Sequence, residues 1–397
     1  MPAIKATDQI IYVGVQDPTL RVFDVIVYTE YGTSYNSYIV QGRDKTVLFE
    51  TVKDRFYDEF IANVKEAIDP GKIDYIVVSH TEPDHTGALA KTLALAKNAT
   101  VVCSPSAAMF LKEILNEEFK VHAVKDGESI DIGGLTMQFM LLPMLHWPDT
   151  MLTYMPELKA LFTCDFLGCH YSDPHVFNDL MNDDFAGAYR HYFNSIMAPY
   201  CDPYVKNALA RIEPLEISFI GNGHGPVLRK DIDKYVGIYK ELACGEKREA
   251  PRAAVVFASA YGYTAALADA IIEGIREEGI SDVNRFDLVK DDKQAAAEAV
   301  RDADGFLLGS STIVADALPP VYEMLLGLNP VVHKGRVAGA FGSYGWSGEA
   351  IGNLIVRMKQ LRLNVVGEGY KARFKPSAEQ LDGAREYGRE FARALRR

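Results

Sequence analysis

Four potential metal ligands fall within six positions of the segment Ser79-His-Thr-Glu-Pro-Asp-His-Thr-Gly87: His80, Glu82, Asp84 and His85. The apolar run Tyr75-Ile-Val-Val-Ser79 leads into them and reads as a buried strand. Proline and glycine interrupt the chain beyond that strand. A strand that ends in such a loop brings several donors to one point without recruiting distant elements. A hydrophobic core has no use for so many imidazoles and carboxylates together, whereas a metal centre needs them.

Further donors lie downstream, each where an apolar strand meets a loop. His146 sits in Met144-Leu-His-Trp-Pro-Asp149, directly after a strand predicted over Leu135–Leu142. Asp165 ends Leu161-Phe-Thr-Cys-Asp165, and His224 lies in Phe219-Ile-Gly-Asn-Gly-His-Gly-Pro226. Taken singly, His146 reads as an ordinary histidine and Asp165 as a turn residue. Together with the 80–85 cluster they can gather at one edge of a sandwich. Seven such groups suit two metals that share a bridging carboxylate. His122, His191 and His333 have no comparable context. His170 and His175, shortly after Asp165, are ambiguous, with His170 a candidate just behind the ligands.

At 397 residues the chain is long enough for two or three domains. A net charge of −12 disfavours nonspecific binding to nucleic acid or to an anionic membrane. No apolar run approaches the roughly 20 residues of a membrane span. The start, Met1-Pro-Ala-Ile-Lys-Ala-Thr-Asp8, has no apolar signal region. The five cysteines are scattered and form no CxxC pair, so reduced thiols in a cytoplasm are expected, without a rubredoxin-type or other Cys-metal site.

Two grammars divide the chain. Up to about residue 225, short strands (Ile10–Gly14, Ser37–Val40, Thr46–Phe49, Ala99–Cys103) alternate with turns and a few helices, one near Asp54–Ala67. This suggests two sheets packed face to face with helices outside. A charged helix over Asp231–Arg248 leads to the linker candidate Gly245–Pro251, dividing domain 1–249 from domain 250–397. Beyond it, strands at Ala253–Phe257, Val283–Leu288, Gly305–Gly309, Arg336–Phe341 and Leu363–Val366 alternate with helices at Thr264–Glu278 and Gln294–Val300. The chain closes on a helix over Ala378–Arg396. This pattern predicts a doubly wound parallel sheet of five strands.

Three loops at the C-terminal ends of these strands carry a second chemistry. The first, Ala258-Ser259-Ala260-Tyr261-Gly262-Tyr263-Thr264, opens a helix and offers hydroxyls and backbone N–H groups as an anion cradle without a lysine. It is neither a GxxxxGK[ST] loop nor GxGxxG. The second is Gly309-Ser310-Ser311-Thr312-Ile313 and the third Phe341-Gly-Ser343-Tyr344-Gly345-Trp346. Aromatic residues on a glycine-bent loop can flank an isoalloxazine ring while glycine N–H groups bond its polar edge. Considered alone, Tyr344 and Trp346 read equally well as packing residues; beside a phosphate loop they point to FMN.

The pattern His80-x-Glu82-x-Asp84-His85 with downstream His146, Asp165 and His224 resembles the metallo-β-lactamase superfamily. Its zinc hydrolases place histidine where this chain has Glu82. With glutamate there, and a flavodoxin-like segment following, nearly the whole chain resembles the flavodiiron proteins. That resemblance implies a metallo-β-lactamase-like αββα sandwich followed by a flavodoxin-like domain. It implies a reductase that passes electrons from an external donor through FMN to two irons and reduces O2 to water or NO to N2O. It also implies that His80, Glu82 and His146 hold one iron, that Asp84, His85 and His224 hold the other, and that Asp165 bridges. The donor would be a rubredoxin-like protein, an NADH-linked reductase or reduced deazaflavin. The assembly would be a head-to-tail homodimer or a dimer of dimers, with Trp147 at the subunit contact or simply covering the site. Some members have a histidine in the segment matching Arg21–Asp24, where this chain has Asp24. The phosphate loop departs from the Thr/Ser-x-Thr-Gly-x-Thr of short flavodoxins, leaving more of the anion to backbone amides. The chemistry of Glu82 agrees: a carboxylate adds negative charge and a hard donor, which favours the higher oxidation state of a redox metal. A binuclear zinc hydrolase fused to an electron-transfer module is the rival, and it has no evident use for a flavin. A non-enzymatic electron carrier would need none of the seven ligand types.

Overall fold

The computed structural model describes residues 2–24, 27–245 and 250–396. Two compact units emerge, Met1–Gly245 and Glu246–Arg397. The expected linker falls largely on 246–249, outside the described residues, as do the last residues of the helix expected over Asp231–Arg248. That helix is described over Ile232–Cys244.

Among the described residues, the first unit holds a seven-stranded and a five-stranded sheet. The first sheet runs Ile4–Lys5, Ile10–Tyr12, Tyr38–Gln41, Thr46–Phe49, Tyr75–Val78, Thr100–Cys103, Val121–Ala123. The second runs Ser129–Asp131, Thr136–Leu141, Met151–Met155, Ala160–Cys164, Phe219–Asn222. Large aromatic side chains join the sheets: Phe49 of the first stacks on Phe162 of the second at 3.8 Å, and Tyr38 packs edge-on to Phe162 and Phe219. Helices cover both outer faces. Phe60 and Val64 of Tyr57–Ala67 and Leu111 of Pro105–Leu115 join the core of the first sheet, while Tyr189, Leu209 and Tyr239 cover Leu161 and Ile220 of the second. This explains why central strands such as Ala160–Cys164 are buried at every position and show no alternation.

The second unit is a parallel sheet in the order Val283–Asp287, Ala253–Ala258, Gly305–Ser310, Val337–Tyr344, with the fifth position at the far edge. That fifth position differs from the single strand read over Leu363–Val366. Two short segments, Asn364–Val365 and Tyr370–Arg373, both pair with Val337–Tyr344. Left-handed Gly367 and Gly369 break the ladder between them. No helix among the described residues is long and apolar enough to cross a membrane.

The helices Tyr263–Glu277 and Ala378–Leu395 pack backbone to backbone through glycines. A Cβ on Gly274 would stand 1.9 Å from the Arg385 carbonyl oxygen, and one on Gly388 2.1 Å from that of Ile271. Gly274→Val should therefore destabilise this unit by about 1–3 kcal/mol or more through overpacking. Thermal unfolding followed by flavin release measures it, and an unchanged midpoint would refute the close approach.

Candidate metal centre and cofactor cleft

The chain folds so that four strand ends of the first unit meet. Tyr75–Val78 delivers His80, then Pro83 starts the one-turn helix Pro83–Thr86 that carries Asp84 and His85. The loop after Thr136–Leu141 delivers His146. Strands Ala160–Cys164 and Phe219–Asn222, paired in parallel, deliver Asp165 and His224 side by side. Six of the seven candidate ligands are buried, and His146 is partly buried at 11% side-chain exposure.

The donor atoms sort into two groups. His80 Nε2 lies 3.4 Å from Glu82 Oε2 and 3.7 Å from Asp165 Oδ2; His146 Nε2 lies 3.3 Å and 2.8 Å from the same two oxygens. On the other side, Asp165 Oδ1 is 2.8 Å from His85 Nε2 and 3.4 Å from His224 Nε2, while Asp84 Oδ2 is 3.6 Å and 3.1 Å from those nitrogens. The two oxygens of Asp165 thus face different sets. The sequence-predicted seven are brought together, and each set falls within the reach of one metal ion.

Outer contacts hold several ligands. His224 Nδ1 donates to the Ser34 carbonyl oxygen at 2.6 Å, which leaves Nε2 facing the cluster. Thr51 bonds the His85 carbonyl through its amide and hydroxyl. Asp149 accepts from the Thr81 amide at 2.9 Å and fixes the loop between His80 and Glu82. His170 is buried with its Nδ1 3.0 Å from Thr33 Oγ1 and its ring 5.3 Å from that of His224, so it stands directly behind a candidate ligand. His175 instead pairs with Asp173 at the surface. Trp147 packs edge-on over His80 at 6.0 Å.

Electrostatics explain what this cluster lacks by itself. Burial pushes His80 down to about 3, against the pull of Asp165, so its ring is neutral. Burial also opposes charge on His85, but Asp84 and Asp165 outweigh it and push it up to about 10. Glu82 rises to about 11 through burial, through Asp84 and Asp165, and through a hydrogen bond with Asp24. Protons on Glu82 and His85 hold down the charge that cations would otherwise balance, and metal binding would displace them.

The residues fit such cations. Asp84 Oδ1 and Oδ2 and His224 Nε2 are buried and make no hydrogen bond, although Asp84 Oδ2 and His224 Nε2 lie 3.1 Å apart. Donors that face a common point without bonding each other are ligands in arrangement. Gly223 keeps the space open: a Cβ there would come within 2.8 Å of His85 Cε1 and 3.1 Å of Asp165 Oδ1.

In the second unit, a cleft of about 290 Å³ opens at the strand ends. Ala260, Tyr261, Tyr263, Ser311, Thr312, Ile313, Ser343, Tyr344, Gly345 and Trp346 line it as the sequence suggests. Four other predicted residues act from behind. Gly262, left-handed at φ 82°, opens the helix, and Ser259 Oγ accepts from the Ala265 amide. Thr264 is buried and bonds Ser343 Oγ at 2.8 Å and Ser311 Oγ at 3.2 Å, while Ser310 Oγ accepts from the Leu318 amide. Sequence reasoning missed Val314, Ala315, Ser347 and Phe374 on the lining. Val314 is 93% and Trp346 96% exposed, so the rim presents apolar faces of a kind that a flat aromatic ring covers.

An αββα sandwich with paired ligand sets at its strand ends, followed by a 2-1-3-4-5 parallel sheet with an aromatic-rimmed cleft, is a metallo-β-lactamase-like domain joined to a flavodoxin-like one. Residues 33–225 match the ODP family beta lactamase and residues 255–388 match Flavodoxin. The flavo-diiron protein FprA2 of Clostridium acetobutylicum is 40% identical over 403 aligned residues, covering 100% of both chains. A nitric oxide reductase of Moorella thermoacetica is 34% identical over 98% of each chain. Among solved structures, the rubredoxin oxygen:oxidoreductase of Desulfovibrio gigas matches with a TM-score of 0.76 at 27% identity, covering 99% of this chain and 98% of that one. The chain belongs to the flavo-diiron proteins. It is an oxidoreductase whose cofactors are FMN and a non-haem diiron centre.

Proposed function

We propose that this protein reduces O2 to water or NO to N2O, with His80, Glu82 and His146 holding one iron, Asp84, His85 and His224 the other, and Asp165 bridging. The observation that carries this reading is the division of Asp165: Oδ2 faces His80 and His146, Oδ1 faces His85 and His224. When bound, the irons supply electrons and open coordination positions to the diatomic substrate, and FMN supplies them with electrons from outside. The chain's own part is positional. Burial keeps bulk water from the ligand cluster, the Ser34 carbonyl orients His224, and Asp149 and Thr51 fix the loop that carries four of the ligands.

The 259–264, 310–313 and 343–346 loops hold FMN in this reading, with the phosphate at the start of the helix Tyr263–Glu277 and Tyr344 and Trp346 beside the ring. The named relatives support both O2 and NO as substrates. The electron donor is a separate rubredoxin-like protein, an NADH-linked reductase or reduced deazaflavin. A head-to-tail homodimer or dimer of dimers in the cytoplasm completes the proposal.

Iron analysis together with steady-state O2 and NO consumption, driven by a chemically reduced small donor, tests it. About two irons per chain and turnover of at least one gas are expected; two zincs and no gas consumption would leave a hydrolase. For the flavin, Thr264→Val removes the hydroxyl that joins Ser343 and Ser311. It should weaken FMN binding about tenfold, the effect of one buried hydrogen bond left unmade. Titration of flavin fluorescence reads this directly, and unaltered affinity would remove Thr264 from the site.

A further inference from the structure

Successive residues of a regular strand point to opposite faces, so Cys164 and Asp165 should not both reach the ligand cluster. Two local features let them. Pairing between Ala160–Cys164 and Phe219–Asn222 shifts register between Phe162 and Cys164. Cys164 also takes φ 49°, a left-handed conformation that L side chains seldom adopt. The result is a buried sulfur 3.3 Å from His80 Nδ1, in one cluster with His80, His85 and Asp165. Backbone irregularity at a site is a sign of use, since the surroundings must enforce it.

We propose that Cys164 is a positioning residue for the diiron centre: its sulfur accepts the Nδ1–H hydrogen bond of His80 and so fixes that ligand's tautomer and donor strength. The inference rests on the reading of His80 as an iron ligand. His80 turns Nε2 toward Glu82 and Asp165, so the metal-facing nitrogen is Nε2 and the proton resides on Nδ1. A thiol sulfur is a weak hydrogen-bond acceptor. His224 has a carbonyl acceptor at 2.6 Å in the corresponding place. A stronger outer acceptor makes a more basic imidazole, so the two iron positions are braced unequally and the His80 position is the more weakly held.

The test compares holoprotein forms of C164A, C164S, H80A and C103A, the last removing a buried thiol with no hydrogen bond to a candidate ligand. Iron per chain is followed during dialysis against a chelator, and the EPR spectrum of the half-reduced centre is recorded. C164A should lose one of its irons about 10–100-fold faster than wild type and C103A. C164S, which keeps an acceptor of different strength, should retain iron and shift the EPR spectrum. Iron retention in C164A equal to C103A, with an unshifted C164S spectrum, would overturn the proposal. If C164A does not fold, the C164S spectrum decides alone. H80A that retains both irons would instead overturn the ligand assignment itself, so the two failures are distinguishable.

Discussion

Asp165→Ala should strip the first unit of both irons while leaving the flavin in place. The carboxylate is the one group whose oxygens face both ligand sets, at 2.8 Å from His146 Nε2 on one side and 2.8 Å from His85 Nε2 on the other. Its removal takes one anionic donor from each set, leaving Glu82 alone with His80 and His146 and Asp84 alone with His85 and His224. Burial and the loss of Asp165 both work against a proton on His85, and a neutral imidazole does not replace the lost anion. Gas consumption should fall by more than the roughly 100-fold that loss of an outer-shell partner costs. FMN content should persist, because the flavodoxin-like unit has its own cores on both faces of its sheet. Iron analysis beside the flavin absorption spectrum separates the two effects. An Asp165→Ala protein that retains two irons and turns over would eliminate the bridging role.

The candidate ligand cluster was legible because metal chemistry crowds unlike residues into short loops at strand ends. His80, Glu82, Asp84 and His85 announce themselves within six positions, and His146, Asp165 and His224 each follow an apolar run. The parallel sheet of the second unit was legible for a related reason: strands buried on both faces read as continuous apolar runs. The surroundings of the ligands were not legible. Thr33 and Ser34 brace His170 and His224 from a three-residue strand, Thr33–Tyr35, that has no pattern of its own. Asp24 acts on Glu82 from a left-handed turn that tertiary packing selects. The fifth strand was read as one piece because sequence marks Gly367 and Gly369 as breaks without revealing that pairing resumes beyond them. Val314, Ala315 and Phe374 reach the cleft in left-handed conformations that none of these residue types signals.

Glu82→His should keep metal and lose redox function, and this separates a reductase from a hydrolase built on the same sandwich. Glu82 Oε2 lies 3.3 Å from His146 Nε2 and 3.4 Å from His80 Nε2, so an imidazole at this position still supplies a donor to the same set. The charge changes. Glutamate contributes a hard anionic oxygen that favours the ferric over the ferrous ion; a neutral imidazole does not. Ferric iron loses more stabilisation than ferrous iron, so the reduction potential of that position should rise and the reduced centre becomes a poorer donor to O2 or NO. Relief of crowding adds to metal retention, since Glu82 is pressed by Asp84, Asp165 and Asp24 in a buried site. The expected outcome is metal content near wild type, gas consumption lowered at least about tenfold for each 1.4 kcal/mol of lost driving force expressed in the barrier, and a raised potential in a redox titration. Zinc should compete with iron more effectively during reconstitution, because the substituted set approaches that of a zinc site. Full O2 or NO reduction at an unshifted potential in this variant would contradict the role given to Glu82, and the carboxylate would then be a structural choice of the loop.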